Sequence, residues 1–119
     1  MSPAKIVQEE IEHDNKHFSA VYLETKNAGL ILLSEGENQL GTLAVAIPHK
    51  QKMVGPPLSS ILLGDRNVIT ARLFAERLAQ KMNKIGLASL FIKSISEREA
   101  GPILVKLFEK TMKKDENKK

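Results

Sequence analysis

Residues 58–93 read LSSILLGDRNVITARLFAERLAQKMNKIGLASLFIK, and the hydrophobic period changes twice within them. Residues 58–63 form an apolar segment of strand length, closed by the turn cluster Gly64-Asp65-Arg66-Asn67. From Val68 the spacing turns helical: Val68, Ala71, Ala75, Leu78 and Met82 recur three and four apart, with Phe74 on the same broad face. Arg72, Glu76, Arg77 and Lys81 fall mainly on the other side. Lys81 and Lys84 suit the negative end of a helix dipole, and Gly86 suits the left-handed position after its last turn. A helix over 68–84 is about 25 Å long. A strand over 87–93 is about 23 Å long. Matched lengths are what a strand–helix–strand unit lying on one sheet requires.

The half before this stretch reads as strands. Segments 5–12 and 17–25 flank the polar turn Asp14-Asn15-Lys16, and Phe18, Ala20 and Tyr22 alternate with Ser19, Val21 and Leu23. Residues 28–34 form a nearly continuous apolar run, as expected of a strand covered on both faces. Glu35-Gly36-Glu37-Asn38 turns the chain, residues 40–47 make a fourth strand, and Pro48 ends it by removing a ladder donor. Short turns between the four predict an antiparallel meander. After residue 93, Ser96-Glu97-Arg98-Glu99 matches a capping box. Gly101-Pro102 then implies either a separate first turn or a helix starting at Pro102. Ile103, Leu104, Leu107, Phe108 and Met112 supply its apolar stripe. The expected architecture is a single α+β domain over 1–112: about six mostly antiparallel strands packed with two helices.

Composition narrows the function classes. The chain has 119 residues, the size of one domain, so its core needs no metal or disulfide staples. With no cysteine, thiol catalysis, thiolate metal sites and redox switching are excluded, and a reducing, cytoplasmic setting is favoured. Apolar runs of about four residues fall far short of the ~20 a membrane helix needs, and no signal-peptide stretch opens the sequence. The net charge of +4 raises nucleic acid as a partner. Half of that charge sits in 113–119, however, where four lysines face Asp115 and Glu116; such an end reads as a disordered basic tail. An aromatic content of 4% leaves few stacking platforms for single strands.

The glycines fit neither a dinucleotide fingerprint nor a P-loop. His13 and His17 are four apart but flank a turn with no third ligand nearby, so they read as solvated turn residues rather than metal ligands. Asp65 stands where α/β enzymes place catalytic acids, yet it or Asn67 reads better as a helix cap. Glu9 and Glu10 point to opposite faces of a strand and cannot act as a carboxylate pair. Ser59 and Ser60 lack the glycine-flanked elbow of a hydrolase nucleophile. No catalytic residue, cofactor or metal is assigned. The residues read as those of a protein-binding chain, not an enzyme.

Two features point to protein partners. The loop after Pro48 offers His49, Lys50, Lys52 and Met53 as partner-binding residues. A six-stranded sheet with two helices also keeps apolar surface to cover, and two copies packing sheet to sheet would bury it; an edge strand is a second route to another chain.

The order of segments Leu30-Ile31-Leu32-Leu33, Gly36, Leu40-Gly41-Thr42-Leu43, Pro48, Ile61-Leu62-Leu63-Gly64 and a helix carrying Phe74-Ala75 and Leu78 resembles the small proteasome assembly chaperones, the third and fourth of the eukaryotic set and their archaeal relatives. The resemblance spans roughly residues 17–112. It implies a non-enzymatic, dimerising chaperone that holds alpha subunits of the proteasome core particle during ring assembly. The hydrophobic–Tyr–any-residue tail of some larger assembly chaperones has no counterpart in Glu116-Asn117-Lys118-Lys119. Two alternatives stand beside this reading: a small basic nucleic-acid-binding protein, and a dimeric scaffold with unrelated protein partners.

Overall fold

The computed structural model describes residues 4–49 and 58–117. In chain order the elements are β1 (Lys5–His13), β2 (Lys16–Glu24), β3 (Ala28–Glu35), β4 (Thr42–Ile47), β5 (Leu58–Leu63), α1 (Val68–Met82), β6 (Ile85–Phe91) and α2 (Glu97–Asn117). They form the expected α+β domain, with one six-stranded sheet in the order β1-β2-β3-β6-β4-β5. Four of the five pairings are antiparallel; β3 and β6 run parallel.

That order corrects the four-stranded meander. Only β1 to β3 are joined as one, and β6 inserts between β3 and β4. Short turns cannot reveal this, because the insertion comes from a strand about 50 residues later that pairs with both neighbours, for example Leu32↔Ser89 and Thr42↔Leu90. The apolar run of β3 reflects its central position. Ile31 and Leu33 are fully buried under the helices, whereas Leu30 and Leu32 on the opposite face are only partly buried.

Both helices lie on one side of the sheet. α1 covers β6 and β4 and reaches β5 less, while α2 lies over β1 and β2. Phe74 and Phe108 join the helices, their ring centroids 5.3 Å apart and tilted by 40°. α1 stops at Asn83, which takes the left-handed conformation expected of Gly86. Gly86 lies in β6, where a Cβ would come within 2.6 Å of the Ala75 carbonyl oxygen and 2.7 Å of the Ala79 nitrogen. The glycine is needed there for the close approach of helix to strand.

The start of α1 is capped from outside. Asn67 occupies the N-cap position without a side-chain cap bond. The Glu97 carboxylate at the head of α2 instead accepts from the Thr70 amide at 2.8 Å and from its hydroxyl at 2.6 Å. α2 opens with the expected capping box: the Glu99 amide donates to Ser96 Oγ at 3.1 Å, and the Ser96 amide to Glu99 Oε1 at 3.3 Å. It then runs unbroken through Pro102.

The tail assignment is also corrected, since residues 113–117 continue α2. Asp115 follows Thr111 and Met112 on the sheet-facing stripe and is 2% exposed, meeting Lys5 Nζ at 3.2 Å. Lys114 Nζ donates to the Gln8 carbonyl at 2.9 Å. Helical spacing and a charge partner on β1 hold residues that composition alone assigns to solvent.

A candidate interaction surface on the open face of the sheet

Paired residues share a face of the sheet, so the registers identify what lies opposite the helices. One row crosses five strands as Ile6, Leu23, Leu30, Leu87 and Val45. A second runs through Val21, Leu32, Ser89 and Leu43. Ile47 pairs with Leu58, and Ile85 shares their face at the foot of β6. Leu58 is 74% exposed and Ile47 59%. No element covers this surface among the described residues, and the rows across β2, β3, β6 and β4 carry no charge. Charged side chains on this face lie at the β1 side, where Glu10 Oε1 and His17 Nε2 are 2.7 Å apart.

Three serines close the other end. Ser19 Oγ donates to the Gly36 carbonyl at 2.8 Å, Ser34 Oγ accepts from the Gln39 amide at 3.0 Å, and Ser89 Oγ accepts from the Gly41 amide at 2.8 Å. These bonds lay the β3–β4 loop across the sheet and explain why the three hydroxyls are buried on a face that is otherwise open. Leu40 of that loop is 58% exposed and extends the apolar surface.

The residues singled out from the sequence are dispersed. His49 is partly buried, and Lys50, Lys52 and Met53 lie outside the described residues. His13 and His17 fall on opposite faces of the hairpin and meet different carboxylates, Asp14 and Glu10. Glu9 and Glu10 likewise diverge, Glu9 lying 3.4 Å from Lys110. Asp65 is exposed in the β5–α1 connection. Ser59 receives the Arg72 Nε–H at 3.0 Å and donates to the Glu76 carboxylate, tying β5 to α1, while Ser60 faces the open side.

Two charged clusters were not visible in the sequence, because their members are distant in the chain. Glu24, at the end of β2, meets Lys84, Lys5 and the Tyr22 hydroxyl. Burial pushes its carboxyl up, but the hydrogen bonds and charges of Lys84 and Lys5 outweigh this and hold it below its ordinary value. Burial, together with the Glu24 charge, pushes the Tyr22 hydroxyl well up. Glu35 accepts from the Lys93 amide at 3.1 Å, the Ser94 amide at 3.0 Å and the Ser94 hydroxyl. Those donors likewise overcome its desolvation and keep it low. Each cluster is saturated by structural partners: the first clamps both helix ends to the sheet, the second fixes the β6–α2 connection.

Among the described residues no group of three or more His, Cys, Asp or Glu side chains is placed to hold a metal ion, and no helix is long and apolar enough to cross a membrane. In comparisons with known proteins, no family model and no curated protein matches the chain.

Proposed function

We propose that this chain is a non-enzymatic, protein-binding chaperone that dimerises through the open face of its sheet and assists assembly of the proteasome core particle by binding alpha subunits. The observation that carries the protein-binding reading is the uncharged apolar face spanning β2, β3, β6 and β4, opposite both helices. Contiguous apolar surface of this extent is unfavourable in water and marks an interaction site. The four uncharged strands span roughly 14 Å at ~4.8 Å spacing and all six roughly 24 Å, while six residues of strand span about 20 Å. The footprint is therefore about 300 Å2 per copy for the uncharged strands and about 500 Å2 for the whole face, so a dimer reaches the ~1,000 Å2 of a specific interface when β1 and β5 take part as well. A second copy supplies the same flat, uncharged surface, and aligned sheets pack at about 10 Å. The choice of client rests on the resemblance in segment order alone.

Size-exclusion chromatography with light scattering, with and without recombinant proteasome alpha subunits, tests both parts. The expected result is a dimer that shifts to a larger complex with one alpha subunit. A Val45→Glu variant is expected to elute as a folded monomer. A wild-type monomer refutes the dimer, and a dimer indifferent to every alpha subunit refutes the client.

A further inference from the structure

The two edges of the sheet are treated differently. At β1, Lys110 and Lys114 of α2 donate to the carbonyls of Glu10 and Gln8 at 3.0 and 2.9 Å, so acceptors along that edge strand are already engaged. β1 also carries Glu9, Glu10 and Glu12, charges of the kind that blunt edges against further pairing. β5 carries no charge in Leu58-Ser59-Ser60-Ile61-Leu62-Leu63, pairs only with β4, and has no such side-chain closure among the described residues. Leu58, Leu62 and Leu63 are all exposed.

The helix side of β5 is also thinly covered. α1 sits mainly over β6 and β4. Its flank toward β5 is marked by Arg72 and Glu76, which hold Ser59. Ile69, three and seven residues before these, lies along the same flank at 73% exposure, with Leu73 beside it at 51%. A strand added at the β5 edge would therefore rest against apolar side chains on both of its faces, Ile69 above and Leu58 below.

We infer that the β5 edge accepts an extended, uncharged apolar segment of a partner protein as a seventh strand. This rests on the protein-binding reading above and names a second surface for it. A second copy of the chain fits the edge poorly. Joining β5 to β5 would set the two α1 axes about four strand spacings apart, ~19 Å. Helices pack at about 8–10 Å, so Ile69 and Leu73 of both copies would stay uncovered. A partner strand that carries its own apolar side chains toward Ile69 leaves no such gap. Backbone hydrogen bonds supply affinity in this mode, and alternate side chains supply selectivity.

The test uses the full-chain protein and a capped eight-residue peptide of alternating threonine and valine, with a control peptide N-methylated at every residue so that neither of its edges keeps a ladder donor. Binding is followed by amide NMR shifts and hydrogen exchange. Protection confined to β5 is expected with the first peptide and none with the control, because methylation removes the ladder donors without removing apolar surface. Ile69→Glu is expected to weaken binding at least about tenfold, or 1.4 kcal/mol, with the oligomeric state unchanged. Val45→Glu is expected to change the oligomeric state while leaving peptide affinity intact. A protein that proves monomeric yet protects β5 with the peptide refutes the dimer and supports the edge. Equal binding of both peptides, a footprint on the open face, or no protection at β5 overturns the inference, as does protection of β5 by self-association alone.

Discussion

The two faces of this sheet have nearly the same apolar content but opposite fates. On the helix side, Val7, Phe18, Tyr22, Ile31, Leu33 and Leu90 are sealed by α1 and α2. On the other side Leu30, Leu32, Leu87, Leu43 and Val45 remain partly exposed, although they alternate with the sealed residues along the same strands. Two helices cover one face of six strands and cannot cover both. The domain's stability therefore resides on one face, and the other is free to meet a partner.

The largest effect that would test this contrast is Leu78→Asp, which sets a charge in the fully buried contact of α1 with the sheet. The expected cost exceeds about 4 kcal/mol, enough to unfold a domain of ordinary stability. A cooperative melt near the wild-type temperature would mean that the helix face does not hold the fold. Next is Asp115→Ala, which removes one of the two carboxylate partners of Lys5 where α2 meets β1 and should cost about 1–3 kcal/mol by urea denaturation. A neutral result would restore residues 113–117 to the solvated tail that their composition suggests. Glu97→Ala strips the cap from Thr70 and is expected to cost about 1 kcal/mol; an unchanged urea midpoint would show the interhelical cap to be dispensable.

Acid should act on the sealed face too. Glu24 and Glu35 are both held below their ordinary values in the folded chain. Their contribution is therefore present above the unfolded carboxyl value of about 4.3 and is lost as pH falls through the lower folded values. Urea midpoints should stay level from pH 8 to pH 5 and drop below about pH 4. Glu35→Gln should flatten that drop, and stability that rises on acidification would reverse the assignment. The smallest effect on folding is expected from Val45→Glu on the open face, within about 1 kcal/mol. Loss of folding there would show that the face is already sealed within one chain.

Much of the fold was legible in the residues, and for stated reasons. The three- and four-residue spacing from Val68 to Met82 located α1, Asp14-Asn15 located the first turn, and Ser96 with Glu99 located the head of α2. These signals are local and need no distant partner. The apolar excess that makes the candidate surface could also be counted, because β2 and β3 carry large apolar residues at both parities while only two helices are available. Of the loop residues, His49 is partly buried, and Lys50, Lys52 and Met53 lie outside the described residues.

The sequence alone thus determined the kinds of element, the α+β class and the number of helices available for cover, because each depends on neighbours within a few positions. Tertiary structure decided the rest. It slotted β6 between β3 and β4, brought Glu97 to Thr70, Lys84 to Glu24 and Asp115 to Lys5, and drew Ser19, Ser34 and Ser89 under one loop. Each of those contacts joins groups that are uninformative apart. A carboxylate or hydroxyl becomes a cap, a clamp or a loop anchor only when folding removes its water and presents a partner to replace it.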